Sequence, residues 1–451
     1  MILKKRLTWK EAITITSMLF GMFFGAGNLI FPAYMGQMAG KNMWVAMLGF
    51  LVTGVGLPLL GVAALGVSRC EGLTELSRRV GRGYGTFFTC ALYLTIGPFF
   101  AIPRCATVPF EIGMVPMLPQ GLDRRLVLSL FTAVFFMIVL WFSLRPGKIL
   151  VWVGKVLNPI FLGILGVLLL TALLFPMGSI DQVVPQSGYV DSPFFTGFLE
   201  GYHTMDALAG LAFGIIVVRV IRDLGITEPG AVAINTVYSG VFSCVLMGVI
   251  YLAVTVIGAQ SRGVYELCSN GGEVLSLISN HYFGRAGILI LFGAVLMACL
   301  KTAIGLITSC AETFEAMFPG VFSYKTWTVL FCAVSFAIAN MGLNTIIDYS
   351  VPVLVFLYPL AITLIVLTLF GRLWNDDPRV SRAVIAVTLL AAIPDLFNAL
   401  PEGAERLPFI HAVVSGAGQV LPFFSLGLGW TCPALLALAA ALVWRQCVKC
   451  V

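Results

Sequence analysis

The chain has 451 residues, of which 59% are hydrophobic and only 11% charged, with a formal net charge of +6. A soluble domain carries about 25% charged residues, so this composition cannot clothe a water-facing surface, and lipid is the solvent that can replace one. The basic residues are spread along the chain instead of gathering on one amphipathic stretch, which argues against a nucleic-acid partner.

A bilayer crossing needs about 20 apolar residues, and such runs fill nearly the whole chain, leaving no separate soluble domain. In order they lie near 11–34, 43–67, 84–112, 126–144, 149–175 and 194–220, then 229–258, 286–316, 326–341, 345–370, 381–400 and 420–444. The first run has no A-x-A cleavage site behind it, so a retained helix is expected, not a signal peptide. The run at 381–400 is the least regular, since it carries Pro394 and Asp395. With the N-terminus cytoplasmic, nineteen of the 27 basic residues fall in inner segments. They are Lys4, Lys5, Arg6, Lys10, Arg69, Arg78, Arg79, Arg82, Arg145, Lys148, Lys155, Arg219, Arg222, Lys325, Arg372, Arg379, Arg382, Arg445 and Lys449. Only six (Lys41, Arg124, Arg125, Arg262, Arg285 and Arg406) are outer, and Arg104 and Lys301 lie inside spans. A single miscounted helix would invert every later loop, so this bias predicts twelve spans with both termini inside. The cysteines sit mostly in apolar runs, where a thiol behaves as a small hydrophobe. The tail pair Cys447 and Cys450 lacks the further ligands of a structural zinc site.

Three spans break the rule of uniform apolarity. In the first, Gly21, Gly25, Gly27, Asn28 and Pro32 crowd the middle of a helix, and each Gly costs about 1 kcal/mol relative to Ala. Gly21 and Gly25 have the four-residue spacing of close helix packing. Packing does not call for Gly25-Ala26-Gly27-Asn28 in succession, and unwinding there is the expectation. It would free carbonyls from Gly21 to Phe24 for a cation and leave the amides of Gly25 to Gly27 for a carboxylate. The sixth span holds Glu200, His203 and Asp206. An acid at membrane depth is expensive against lipid, and Asp206 is the deeper of the two. Glu200 reads equally as an interfacial residue, and His203 as a structural histidine or a proton carrier. In the eighth span Lys301 is about fifteen residues, roughly 20 Å, from either helix end, too far to snorkel to water. It is expected to face a cavity, pair with an acid, or be neutral. Prolines and glycines also interrupt the third span (Gly97, Pro98, Pro103, before Arg104) and the tenth (Pro352, Pro359).

Spans one and six, both interrupted, are five spans apart. That spacing predicts two inverted five-helix units, 11–175 and 194–370, with 381–444 as two appended helices. The expected fold class is therefore an all-α membrane protein of about twelve transmembrane helices.

Four segments in this order, 24–32, Gly97–Arg104, Gly201–Leu208 and Thr302–Leu306, resemble the bacterial branched-chain amino acid:cation symporters, the BrnQ-type carrier (LIVCS) family. The likeness runs from span one to at least span ten. It implies membership of the amino acid–polyamine–organocation superfamily and its leucine-transporter fold of five plus five helices. It further implies inward movement of leucine, isoleucine and valine with Na⁺ or H⁺ across the bacterial inner membrane. Carried over by position, the substrate carboxylate would meet the amides of Gly25, Ala26 and Gly27. The amino group would meet carbonyls around Tyr202, Thr204 and Met205 beside Asp206, and the side chain would pack on Phe23, Tyr93, Ile96 and Met205. One cation would take carbonyls near Gly21 and Phe24 with the hydroxyl of Thr302, and a second would use Asn28. Related sodium sites have two adjacent hydroxyl residues on span eight where this chain has Lys301 and Thr302. A protonated lysine repels Na⁺ strongly in a low dielectric, which points to a carrier less dependent on Na⁺, proton-coupled or an exchanger.

Other classes fare worse. No G-x-x-x-x-G-K-[ST] loop supports ATP drive. The three histidines, His203, His281 and His411, are scattered, so no catalytic residues, metal site or cofactor beyond Na⁺ or H⁺ are expected. No repeated ring of pore-lining groups suggests a channel. Within transport, methionine or another small neutral amino acid is the alternative cargo, because a methylene is discriminated by only about 1–3 kcal/mol. The sequence leaves the oligomeric state open.

Overall fold

The structure, a computed structural model, describes residues 6–68, 70–119, 121–145, 149–401 and 407–449, with the side chains of 149–158, 229, 448 and 449 excepted. Lys4, Lys5, Arg69, Lys148, Arg406 and Cys450, and the side chains of Lys155 and Lys449, therefore lie outside the described residues.

Every described element is helical. The first span divides into α1 (Trp9–Phe23) and α2 (Gly27–Ala39), and the second runs as α3 (Met43–Leu51), a π turn, and α4 (Leu57–Ser68). After a short α5 (Leu73–Arg78), the third span is α6 (Arg82–Leu94) and α7 (Ala101–Pro109), kinked at Gly97. Then come α8 (Arg124–Ser143), α9 (Ile149–Leu174), the pair α10 (Pro193–Glu200) and α11 (Asp206–Asp223), and α12 (Pro229–Ser261). Next is α13 (Gly271–Met317), whose first turns form a separate arm because Gly284 takes φ +57°. The last five are α14 (Tyr324–Ala339), α15 (Leu343–Leu369), α16 (Pro378–Asn398), α17 (Pro408–Val420) and α18 (Thr431–Lys449).

Seven described helices are long and apolar enough to cross a bilayer by length and composition, or eight with the pair α10–α11, bent by 44°. Twelve crossings require the shorter apolar helices and the broken first span to cross as well. The expected span 420–444 is shifted, since its helix begins only at Thr431. Pro422, Gly427 and Gly429 interrupt the apolar run before it, and Phe423 and Gly427 adopt left-handed φ of +61° and +68°. By contrast, Pro394 does not stop α16.

The outward faces are apolar. On α8 the exposed stripe is Leu126, Leu130, Val134, Met137 and Trp141, at helical spacing, while Leu128, Thr132, Phe135 and Val139 turn inward. Such a stripe suits lipid, which gives no penalty for an exposed Leu. The loops assigned to each side of the bilayer also find each other. On one end Lys41 N–H donates to the Val183 carbonyl at 3.1 Å, and Asn270 Nδ2 to Asn344 Oδ1 at 2.9 Å. On the other end Arg382 Nε donates to the Val80 carbonyl at 2.7 Å, and Arg445 faces Asp377 at 3.7 Å.

The interior is built on close backbone approach. Helix α2 packs on α12, and α3 and α4 pack on α10 and α11. At the first seam a Cβ on Gly36 would strike the Thr255 carbonyl, and one on Gly258 the Ala33 carbonyl. At the second, Gly49 lies on the Phe194 carbonyl and Gly197 on that of Ala46. Each seam thus uses one glycine from each helix, so dispersion and small-residue packing hold the spans where lipid supplies no hydrophobic drive. Gly258→Val is expected to cost at least the roughly 1–3 kcal/mol of an overpacked core. Size-exclusion chromatography after graded heating in detergent should show earlier loss of the monodisperse peak. Gly163→Ala, where an added methyl meets nothing within 4 Å, should behave as wild type; equal loss in both would refute the seam.

Candidate functional site

The first break forms where local sequence disfavours a helix. Helix α1 ends at Phe23, Phe24 is extended at φ −75°, ψ 101°, and α2 restarts at Gly27. The first-turn amides of a helix have no carbonyl behind them. Here Asn28 fills part of that need by folding back, its Oδ1 accepting the Gly25 N–H at 2.8 Å. Gly27 is held tight, since a Cβ there would lie 3.2 Å from the Phe31 ring and 3.7 Å from the His203 carbonyl.

The second break is made by a turn. After α10, one 3₁₀ turn covers Gly201–Thr204, and Met205 adopts φ +62°, ψ 12° before α11 opens at Asp206. Left-handed backbone at a non-glycine costs about 1–3 kcal/mol and persists only when its surroundings enforce it. The Thr204 hydroxyl donates to the Gly201 carbonyl at 2.9 Å and accepts the Asp206 N–H at 3.3 Å, fixing the restart.

These two breaks are joined by one buried network. Asn28 Nδ2 donates to Asp206 Oδ2 at 2.5 Å and is also hydrogen-bonded to the Tyr251 hydroxyl of α12. Tyr251 in turn donates to the same carboxylate oxygen at 3.1 Å. Asp206 is only 2% exposed and opens α11.

Beside the network lies a cavity of about 60 Å³, room for about two waters at their liquid volume of roughly 30 Å³ each. Phe23, Gly25, Ala26, Gly27, Asn28, Ile96, Thr204, Met205, Asp206 and Thr302 line it. Tyr93 and Tyr202 do not. The Tyr93 hydroxyl donates to the Ala212 carbonyl at 3.2 Å, and Tyr202 stacks on Tyr358 with ring centroids 3.9 Å apart. Gly21 and Lys301 meet behind the cavity, where Lys301 Nζ donates to the Gly21 carbonyl at 3.3 Å. The Thr302 hydroxyl donates to Ala298 of its own helix at 3.0 Å, and the Phe24 ring stacks on Phe20.

Residues that were not placed in the site beforehand complete it. Arg104 reaches from α7 into the cavity wall, donates to the His203 carbonyl at 2.8 Å and lies over the Phe31 ring. Its presence inside a span was the only signal for it. Tyr251 gave none, since a tyrosine in an apolar run reads as an ordinary membrane aromatic. Phe213 and Leu306 add apolar wall. The Arg104–Phe31–His203 group separates this cavity from a wider one of about 260 Å³, which Glu200, His203 and Asp348 face. In the wider cavity Glu200 approaches His203 Nδ1 at 3.5 Å.

Comparison with known proteins agrees with this architecture. The family model described as branched-chain amino acid transport protein matches residues 8–448. The branched-chain amino acid permease BrnQ of Lactobacillus delbrueckii subsp. lactis is 52% identical, with 97% of each chain covered. BrnQ of Bacillus subtilis (strain 168) is 41% identical over 96% of each chain, and BrnQ of Escherichia coli (strain K12) 36% over 98% of this chain and 97% of its own. Among solved structures, the inward-facing conformation of Mhp1 aligns with TM-score 0.62 at 16% identity, covering 97% of this chain and 90% of that one. A closed conformation of Mhp1, a nucleobase-cation-symport-1 family transporter with bromovinylhydantoin bound, aligns at 0.59 and 17% identity, covering 99% and 95%. At these identities the Mhp1 likeness shows the fold alone, the all-helical leucine-transporter class. The chain belongs to the branched-chain amino acid transport protein family, whose members are membrane permeases and not enzymes.

Proposed function

We propose that this chain is a secondary active transporter that imports leucine, isoleucine and valine across a bacterial inner membrane by alternating access, with both termini cytoplasmic. The observation that carries the reading is the meeting of two broken helices through Asn28 and Asp206 beside a small cavity. The similarity over nearly the whole chain to branched-chain amino acid permeases supports the substrate class. In this reading the substrate carboxylate takes the free amides at the start of α2, chiefly Ala26 and Gly27, because Gly25 N–H is already held by Asn28. The amino group takes carbonyls of the turn around Tyr202 to Met205. The branched side chain lies against Phe23, Ile96, Met205 and Phe213. The two five-helix units are 11–175 and 194–370, with 381–444 appended. The reciprocal packing of α2 on α12 and of α3–α4 on α10–α11 supports them, since an inverted repeat exchanges spans one and two with six and seven.

Lys301 takes the cation's place in this reading. Its ammonium sits on the Gly21 carbonyl, the group that a coupling cation would use, and like charges are strongly repelled at low dielectric. The carrier is therefore less dependent on Na⁺ and runs with H⁺ or as an exchanger.

Leucine uptake into proteoliposomes under separate Na⁺ and H⁺ gradients is expected to depend weakly on Na⁺, with Lys301→Thr raising that dependence. Steep Na⁺ dependence with Lys301 intact sinks the assignment. Asn28→Leu removes both the Asp206 and Gly25 links, so uptake is expected to vanish while membrane insertion persists. A lost hydrogen bond to a charged group alone, about 1.5–3 kcal/mol, is at least about tenfold in affinity. Gly27→Val should block access to the half-helix amides; wild-type affinity in that variant speaks against the broken-helix site. Unlabelled isoleucine and valine should displace labelled leucine more strongly than methionine does, and equal displacement identifies a broader neutral amino acid carrier.

A further inference from the structure

Outside the cavity, a second acid is buried with nothing to pair it. Asp395, in the last turn of α16, is 1% exposed, and neither carboxylate oxygen has a hydrogen-bond partner among the described residues. The backbone amides of Gly429 and Trp430 point toward the carboxylate as weak donors, short of full hydrogen-bond geometry. A Cβ added to Gly429 would lie 3.2 Å from Oδ1 and 3.5 Å from Oδ2, so segment 421–430 closes directly over the acid. Ala391, Trp430, Ala434 and Ile362 form the apolar patch around it, and the Trp430 Nε1 is itself buried without an acceptor.

We propose that Asp395 is a proton-binding site, separate from the cavity between spans one and six. A bare carboxylate in an apolar interior is costly unless it is paired or neutralised. One proton converts it to the neutral acid, and no other bond changes. A metal cation would serve less well, because hard cations need several oxygen ligands and the described residues bring no cluster of carboxylates, histidines or thiols to Asp395.

The facing groups leave the proton as the neutralising charge. From the break in span six the titratable neighbour is Tyr202, which lies within electrostatic reach of Asp395, and from α15 Tyr358 stands behind it against the Tyr202 ring. Both tyrosine hydroxyls are buried without partners among the described residues. On α17 and α18 the titratable groups nearest in sequence are the exposed His411 and the half-buried Cys432. On α16 itself Arg382 lies thirteen residues back, roughly 20 Å along the helix. No described cation faces the acid within hydrogen-bonding or ion-pair distance. Tyr202 stacks on Tyr358, and Gly427 of the covering segment packs on Leu199 of α10. The site therefore adjoins the outer half of the broken sixth span.

Infrared difference spectroscopy of the full chain in lipid, between acid and alkaline pH, tests this directly. Wild type should show a protonated-carboxyl band that Asp395→Asn lacks and Asp395→Glu restores at a displaced frequency. The protonated fraction should fall about tenfold for each pH unit above its midpoint, and adding Na⁺ at fixed pH should leave the band unchanged. A band that survives in Asp395→Asn, or one that Na⁺ removes at fixed pH, overturns the proposal. If Asp395→Asn does not fold, aspartate-selective carbon-13 labelling replaces it. One label-sensitive band of wild type must then lose that sensitivity in Asp395→Glu, and full retention overturns the proposal equally.

Discussion

The structure depends on one requirement, that backbone and side-chain polar groups at membrane depth find partners within the protein. Breaking two helices in the same plane exposes a set of such groups, and Asn28 answers for both at once. One face of its amide holds the Gly25 N–H of the first break, and the other holds the Asp206 carboxylate at the head of the second. Tyr251 braces that pair from α12. Neither break is self-sufficient, and each is stabilised by what the other leaves open.

Two basic side chains of the spans sit against these breaks. Arg104 spends its charge on the His203 carbonyl and the Phe31 ring, which walls the small cavity from the wider one. Lys301 is set against the Gly21 carbonyl on the far side of the first break. Two basic side chains thus flank the broken helices, one on each side of the small cavity.

Much of this was legible in the residues, for a local reason in each case. Gly25, Ala26 and Gly27 in succession cannot make a good helix wherever they stand, and Asp206 and Lys301 cannot face lipid. The partners were not legible. Asn28 meets Asp206 across 178 positions and Tyr251 across 223, distances that no periodicity carries. Nor was it legible that the Tyr93 hydroxyl reaches the Ala212 carbonyl or that the Tyr202 ring stacks on Tyr358. The last span was set too early because Leu421 to Leu428 is as apolar as a helix, and hydropathy does not register what Pro422 and Gly427 do to the backbone.

The glycine seams carry a mechanical consequence. Where Gly36 meets the Thr255 carbonyl and Gly197 meets that of Ala46, no side chain stands between the two backbones to change rotamer and absorb a slide. Such joints are stiff, so α2 with α12, and α3 with α10, behave as welded pairs. Any relative movement of the helices would fall more easily on joints where contact runs through long aromatic side chains. The Phe314, Trp327 and Phe331 stack between α13 and α14 is one such joint. Stiffness, as much as polarity, decides which parts of this chain can move past one another.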